Sequence, residues 1–340
     1  MASEMIAHAE ETTPNVDLEK GSWMIWMKSL RAVALAASLL SCAAASAETV
    51  RVNYIPIADV TPLFVAIDKG YFTAEGLTIV PTPSTGGAAG IPGLMAGAFD
   101  VMYGNVVSTM LAQQQGFKLE VISAGTKQTE NPVNTNGLVA RAGESVKTGK
   151  DLEGKTVAVN TRNGIIWLFA RAWIAKTGGD PSKVTFKEVP FPQMPDALRG
   201  KQVDAAFMVN PFFNAAIGDP KTFAFVAAPY RVVQPGVEVG HYICTQEYYA
   251  EHRETIAKYY RAFRKGVQWY NAHLKSPDLI PIISGFTKMK PELVATLNLQ
   301  PLPETIDLDA VATTVKLMKD AGLLTKDIDL KGMTNPAALK

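Results

Sequence analysis

The sequence predicts an α/β protein of two lobes, and three observations support this. From Val50 onward the chain repeats one unit, in which a short apolar run is followed by a turn of small and polar residues and then by an amphipathic helix. The pattern restarts after Gly143, which indicates a second lobe. The chain crosses between the halves near residues 139–146 and 229–240. Strands that alternate with helices predict a mostly parallel sheet in each lobe, flanked by helices, with a ligand cleft between the lobes.

The first lobe is expected to span residues 48–140 and 238–340. Its first helix should begin at Pro62 and end before Gly70, since proline suits the first helical turn and glycine the position after the last. Further helices are expected after the turns at 84–87 and 104–105. The strands are predicted at 50–54, 77–80, 100–103, 119–124 and 138–141, each a short apolar run between turn residues.

The second lobe is expected to span residues 141–237. A helix from 165 to 176 carries its apolar residues at helical spacing, which is typical of a helix packed on a core. Strands are predicted at 156–159, 184–189, 205–209 and 223–227. Beyond the linker at 229–236, a strand at 241–245 returns to the first lobe, and helices are expected around 256–274, 291–297 and 308–321.

A secretory leader is expected at residues 27–47. Lys28 and Arg31 precede the apolar run 32–40, and Ala45-Ser46-Ala47 provides a small-residue cleavage site. The apolar run is too short to span a bilayer stably. The leader predicts a periplasmic protein.

Two features near the leader complicate this prediction. Residues 1–26 contain five acidic side chains and lack a basic start, so they are interpreted as an upstream extension from a start codon assigned too early. Leu39-Leu40-Ser41-Cys42 resembles a lipoprotein cleavage box. A lipid anchor at Cys42 is therefore the alternative to a soluble periplasmic form.

Composition excludes several classes of function. Removal of residues 1–47 takes away three of 33 basic and five of 32 acidic side chains, which leaves a net charge of about +3. This balance provides no broad basic field for nucleic acid. Cleavage after Ala47 would leave Cys244 as the single cysteine, so an internal disulfide and a cysteine-rich zinc site are excluded.

Six turns are the candidate ligand-binding segments. In open parallel sheets, ligands bind outside the carboxyl ends of the strands, where turns and helix N-termini gather. The turns are 55–61, 84–88, 104–108, 160–164, 191–195 and 208–212.

Five stretches resemble the periplasmic solute-binding proteins of ABC importers, in the nitrate, sulfonate and taurine group, which also contains binders of thiamine pyrimidine precursors. The stretches are PLFVAIDKGYFTAEGL at 62–77, LMAGAFDV at 94–101, DLEGKTVAV at 151–159, ALRGKQVDA at 197–205 and NPF at 210–212. The first stretch is quite specific to this group, and the later ones recur among many two-lobed binders. The resemblance covers about residues 50–249.

The resemblance implies a type II periplasmic-binding-protein fold that closes by hinge motion around one small solute. It implies delivery of that solute to an ABC permease and its ATPase subunit, which are the expected partners. No cofactor and no nucleic acid are expected. Contact with the membrane should occur through permease docking or the lipid anchor at Cys42, and the protein is expected to be a monomer.

The candidate ligand-binding residues come from the six turns. The turn Ser84-Thr85-Gly86 can present amides and hydroxyls to an anion at a helix N-terminus, and its position in the family favours binding. Arg162 is the single basic residue of the six turns and would be the counter-charge. The remaining candidates are Asp59, Asn105, Asn160, Thr161, Phe191 and Asn210.

Two of these candidates bear on the identity of the solute. Asp59 would repel an anion, so the solute is zwitterionic or Asp59 pairs with Arg162 on closure. Asn210 stands where many relatives carry Glu before a Pro-Phe pair, which weakens any ligand assignment by resemblance. The expected solute is a small organic anion or zwitterion. The alternatives are a neutral pyrimidine, or a ligand-sensing rather than a transport role.

An enzyme is not expected. After the leader the chain keeps His241, His252 and His273, without metal-ligand spacing. It lacks a nucleophile elbow, a P-loop and a dinucleotide-binding glycine turn. It also lacks the cysteine-rich motif of the related pyrimidine-forming enzymes.

Overall fold

The computed structural model describes residues 47–129 and 134–339. The upstream extension, Cys42 and all of the leader except Ala47 lie outside these residues. Ten strands run through the described chain, and the first begins directly after the predicted cleavage site. They are β1 (Glu48–Tyr54), β2 (Leu77–Pro83), β3 (Val101–Asn105), β4 (Leu119–Lys127), β5 (Asn136–Arg141), β6 (Thr156–Val159), β7 (Thr185–Glu188), β8 (Ala205–Val209), β9 (Phe223–Ala227) and β10 (Glu238–Thr245).

The strands form two five-stranded sheets, one in each lobe. The order is β2-β1-β3-β10-β4 in the first lobe and β7-β6-β8-β5-β9 in the second. In the first sheet β1 pairs in parallel with β2 and β3, while β10 is antiparallel to its neighbours β3 and β4. In the second sheet β6 pairs in parallel with β7 and β8, while β5 is antiparallel to β8 and β9. The predicted two-lobed α/β fold is confirmed.

One strand lies in a different lobe from the one expected. The sequence assigned 138–141 to the first lobe, whereas β5 belongs to the second sheet. The first crossing therefore lies between Lys127 and Asn136, not at 139–146, and the second lies between Ala227 and Glu238. A strand that enters a lobe from a crossing starts at the cleft edge, so it runs against strands that end there. An apolar run carries no mark of its direction, which explains the difference.

Helices cover the sheets and extend the first lobe after β10. The helix from 165 to 176 has the predicted bounds, and the first helix begins one residue before Pro62. The helices are α1 (Thr61–Asp68), α2 (Tyr71–Ala74), α3 (Gly87–Met95), α4 (Val106–Gln114), α5 (Ile165–Lys176), α6 (Met194–Arg199), α7 (Phe212–Ile217), α8 (Pro229–Val233), α9 (Gln246–Glu251), α10 (Arg253–Ala272), α11 (Leu279–Thr287), α12 (Pro291–Val294) and α13 (Leu308–Asp320). Within residues 47–129 and 134–339, no helix is long and apolar enough to cross a membrane.

Each lobe contains its own aromatic cluster. In the first lobe, Tyr242 of β10 packs against Phe263 of α10 with ring centroids 4.7 Å apart. In the second, Tyr230 of α8 lies 4.9 Å from Phe169 of α5 and 5.1 Å from Phe207 of β8. Because each cluster is buried within its own lobe, the lobes can move relative to each other without losing these contacts.

Candidate functional site

A cavity of about 30 Å³ lies between the lobes, where the carboxyl ends of the parallel strands meet. It has room for roughly two water molecules, or for one small group of a larger solute. The polar lining residues are Asp59, Tyr103, Asn105, Gln128, Thr135, Asn136, Asn160 and Tyr230. The apolar lining residues are Ile55, Ile57, Ile165, Ile166, Phe191, Val209 and Val239.

Asp59 is the charged residue of this lining. It sits in the short 3-10 turn Ala58–Val60 between β1 and α1, and the hydroxyl of Thr61 stabilises that turn by donating to the Ala58 carbonyl over 2.6 Å. The side chain is half-buried because it faces the cavity. Desolvation raises the pKa of Asp59 to about 6, and a hydrogen bond with Thr126 opposes the increase.

Two tyrosines face this carboxylate from different lobes. The hydroxyl of Tyr103 on β3 lies 2.7 Å from the Thr126 hydroxyl, so it has a partner. Tyr230 on α8 is 2% exposed, and its hydroxyl has no hydrogen-bond partner among the described residues. Desolvation, followed by the negative charge of Asp59, raises the pKa of both hydroxyls well above the usual value. Both therefore stay protonated and able to donate at neutral pH.

Two asparagines from the predicted turns join the lobes across the cleft. The Oδ1 atom of Asn105 caps α4 by accepting from the Ser108 N–H over 3.0 Å, and it also accepts from the Ile165 N–H of the second lobe over 3.2 Å. Asn160 of the second lobe donates from Nδ2 to the Thr85 carbonyl of the first lobe over 3.2 Å. Both side chains therefore line the cavity and hold the lobes together.

Asn210 forms a third connection, at the end of β8. Its carbonyl accepts from the Ala58 N–H over 2.8 Å, next to Asp59. Its Nδ2 atom donates to the Asn298 carbonyl of the first lobe over 2.7 Å. Its Oδ1 atom accepts from the Asn214 N–H of its own lobe over 3.2 Å, and Asn210 is buried but is not among the residues that line the cavity. The structure is therefore in a closed arrangement.

The turn Ser84-Thr85-Gly86 lies at the mouth of the cleft. The Ser84 hydroxyl donates to Asn53 over 2.9 Å, and Ser84 and Thr85 line a second cavity of about 230 Å³. Ile55 and Phe191 border both cavities and separate the inner one from this outer one. The rest of the outer wall consists of four prolines: Pro56, Pro83, Pro190 and Pro192.

Gly86 allows the close approach of the second lobe. A Cβ atom at Gly86 would lie 2.6 Å from Nδ2 of Asn160 and 2.6 Å from Cγ2 of Thr161. The hydroxyl of Thr161 is buried without a hydrogen-bond partner in the part of the chain that the structure describes. Thr161 thus packs against the turn at 84–86 and is not a lining residue of the inner cavity.

Arg162 lies outside both cavities. Its side chain is exposed, and its guanidinium donates to the Phe186 carbonyl on β7 over 3.0 Å. Its backbone N–H donates to the Glu188 carboxylate. Within the described residues, no Lys, Arg or His lines the inner cavity. The position of Arg162 in a cleft turn did not predict the direction of its side chain.

Five polar lining residues were not predicted as ligand-binding residues: Tyr103 of β3, and four that lie at the crossings. Gln128, Thr135 and Asn136 surround the first crossing, and Tyr230 lies in the second. The Asn136 amide donates to Gln128 over 2.7 Å, which links the two sides of the first crossing. Assignment of β5 to the second lobe places Gln128, Thr135 and Asn136 beside a crossing, where the chain passes the cleft.

The fold and the cleft define a class. Two sheets joined by two crossings, with a cavity at their facing carboxyl edges, form the two-lobed architecture of type II periplasmic binding proteins. The chain belongs to the NMT1/THI5-like family, whose profile matches residues 57–276. The predicted relationship to the nitrate, sulfonate and taurine solute-binding group is confirmed.

Individual relatives are distant, and the two that are named for a ligand are named for different ones. The protein called "Putative binding protein YtlA" from Bacillus subtilis (strain 168) is 23% identical over 267 residues, covering 76% of this chain and 78% of that protein. The riboflavin-binding protein RibY of Chloroflexus aurantiacus is 24% identical over 231 residues, which are 64% of this chain and 61% of RibY. The alkanesulfonate-binding protein SsuA of Xanthomonas axonopodis pv. citri, solved with bound MOPS, superposes with a TM-score of 0.70 at 15% identity, covering 84% of this chain and 98% of SsuA.

The family and these neighbours are binding proteins and not enzymes, as predicted for this chain. Among the described residues, no group of three or more His, Cys, Asp or Glu could hold a metal ion. Cys244 is buried, and burial raises the pKa of its thiol, which makes it a poor nucleophile.

Proposed function

We propose that this protein captures one small solute in the cleft, outside the cytoplasm, and delivers it to the permease and ATPase of an ABC importer. The observation that carries the proposal is the enclosed cavity between two lobes that are joined by two crossings and bridged by hydrogen bonds from Asn105, Asn160 and Asn210. The relative named as a riboflavin-binding protein and the structural neighbour named as an alkanesulfonate-binding protein support a solute-binding role.

Closure is the mechanism that this arrangement supports. An open cleft admits the solute, and closure brings the second lobe onto it while water is excluded. The cross-lobe hydrogen bonds then add to the contacts of the solute, because they form in the closed state. A permease could recognise the closed surface, which would couple capture to delivery.

The names of the relatives leave the solute open, since alkanesulfonate and riboflavin share no charge or shape. The expectation of an organic anion depended on Arg162 as its counter-charge, and this guanidinium hydrogen-bonds with Phe186. The turn at 84–86 alone is weaker support for an anion. The charge of the solute therefore has to be argued from the inner cavity.

Thermal shift and small-angle scattering test the proposal together. A panel of sulfonates, carboxylates, amines and nitrogen heterocycles should contain a compound that raises the melting temperature, because a ligand at 100 times its dissociation constant adds about 2.7 kcal/mol of stability. With that compound, the radius of gyration should be no larger than that of the free protein, and smaller if the free protein is open in solution. A bound compound that enlarges the molecule would contradict closure.

A further inference from the structure

The inner cavity has the wrong charge for an anion. Asp59 is its one formally charged side chain among the described residues, and its neighbours in the lining are amides, hydroxyls and apolar groups. An anion placed here would meet a carboxylate without a compensating cation, in a space from which closure removes water. Interactions between charges strengthen as water is excluded, so closure would increase the repulsion.

A second observation about the solute is that one hydroxyl group in the same cavity has no hydrogen-bond partner among the described residues. The Tyr230 hydroxyl is buried, lines the cavity and has no partner among the described residues. A buried polar atom of this kind is normally satisfied, so it points to a polar group of a bound solute. Asp59 comes from the first lobe and Tyr230 from the second, so both can reach one solute only when the lobes are closed.

We propose that Asp59 determines the specificity of this site, which takes a solute presenting a nitrogen group that donates hydrogen bonds to a carboxylate. Such a group is an ammonium, an amidinium, a guanidinium or an amino group on a heterocycle. The inference rests on the proposed function, because it assumes that the cleft is the binding site. It deepens that function by excluding nitrate, simple sulfonates and simple carboxylates.

The two cavities would hold different parts of the solute. The inner cavity, at Asp59, would receive the nitrogen group. The outer cavity is lined mostly by apolar side chains, including four prolines, and would receive an apolar or planar part of the solute. Phe191 borders both and is 3% exposed, so its ring can pack against the connection between the two parts.

Affinity should depend on pH in a defined direction. The pKa of Asp59 is about 6, and the titratable groups that sense its charge lie on four elements. These groups are Tyr103 of β3, Tyr230 of α8, Tyr242 of β10 and Tyr270 of α10, and desolvation holds the pKa of each above its usual value. Among these groups only the carboxyl of Asp59 titrates near neutrality; the carboxyls of Glu120 and Glu238, whose pKa values burial raises to about 7, are not among the residues that line the cavity. A cationic solute should bind best above pH 6 and weaken below it, whereas an anion would gain affinity as the carboxyl is protonated.

Matched probes test the proposal on the mature protein. The nitrogen probes are benzamidine, methylguanidine and 4-aminopyrimidine, and the anionic probes are benzoate, methanesulfonate and nitrate. Calorimetry is run on the wild type, on Asp59→Asn, and on Asp278→Asn as a control, since Asp278 is exposed at the start of α11. We expect at least one nitrogen probe to bind, Asp59→Asn to weaken it by about 30-fold or more, and the control to bind as the wild type does.

Several results would overturn the inference. They are an anionic probe that binds the wild type more tightly than every nitrogen probe, a nitrogen probe whose affinity is the same in Asp59→Asn, or no binding of any nitrogen probe at millimolar concentration. The pH profile of the wild type gives a second measurement should the variant fold poorly. An anion that binds and closes the lobes would leave the proposed function intact, whereas probes that bind without closure would count against both.

Discussion

At the scale of single residues, Asp59 combines a function with a cost in stability. Its carboxylate faces a closed cavity, and desolvation raises its pKa from 3.8 to about 6. The folded protein therefore binds a proton more readily than the unfolded chain does. At neutral pH the ionised form is penalised in the folded state, and this penalty disappears as the pH falls below the unfolded value. A residue kept at such a cost is typical of a binding site.

Asp59→Asn should stabilise the protein at neutral pH. We expect its free energy of unfolding at about pH 7.5 to exceed that of the wild type by about 1–3 kcal/mol, reduced from the full shift because the side chain is partly solvated. The difference should shrink as the pH falls and disappear below about pH 3, where the carboxyl is neutral in both states. Urea unfolding at the two pH values measures this, with Asp278→Asn as control. A variant less stable than the wild type at neutral pH would contradict the assigned pKa shift.

At the scale of elements, the turn between β2 and α3 sets how closely the lobes can approach. Gly86 has a φ of 173°, an extended conformation open to any residue. Its lack of a side chain matters because Asn160 and Thr161, both buried, occupy the space where a Cβ would lie. Close packing of the lobes thus explains why a glycine occupies position 86, whatever solute the protein binds.

Gly86→Ala should hold the cleft partly open. Overpacking of this kind costs about 1–3 kcal/mol, and here it opposes the closed state alone. Small-angle scattering should give a larger radius of gyration than for the wild type, while urea unfolding changes little because the cores of both lobes are intact. The control is Gly285→Ala, since a Cβ on that helical glycine meets nothing within 4 Å. Identical scattering for both variants would show that the side chains at 160–161 give way.

At the scale of the whole molecule, the hinge follows from the two crossings. Each crossing ends in an antiparallel strand, β5 or β10, that carries the chain from the cleft edge into the next sheet. Because each lobe buries its own aromatic cluster, we expect bending to be concentrated at the two crossings, which follow β4 and β9. Four residues that line the cavity therefore also lie in or next to a crossing: Gln128, Thr135, Asn136 and Tyr230.

Export of the whole chain should produce a defined N-terminus. We propose cleavage after Ala47, because its small-residue site follows the apolar run 32–40 at the spacing of a leader. N-terminal sequencing of exported protein should read Glu48 first, which is also where β1 begins. A lipid-modified Cys42 would instead identify a membrane-anchored lipoprotein, and a chain that retains Trp23 would contradict export by this leader.

Most of the fold could be predicted because it depends on local periodicity. The alternation of apolar runs, turns and amphipathic helices identified the strands of both sheets, and the carboxyl-edge rule identified the segments that form the cleft. The assignment of β5 failed because partner choice in a sheet is a long-range property. Asp59, Asn105, Asn160 and Phe191 were candidates that line the inner cavity, since a turn position determines where a backbone lies.

The sequence by itself determined the two-lobed α/β class, the family, and which turns meet at the cleft. These properties depend on residues that are close together along the chain. The tertiary structure alone decided the direction of Arg162, the separation of the cavity into two parts, and the placement of Asp59 and the unpartnered Tyr230 hydroxyl in one cavity. Side-chain direction, desolvation and the net charge of a cavity arise from groups distant in sequence. For that reason the charge of the solute had to be inferred from the folded molecule.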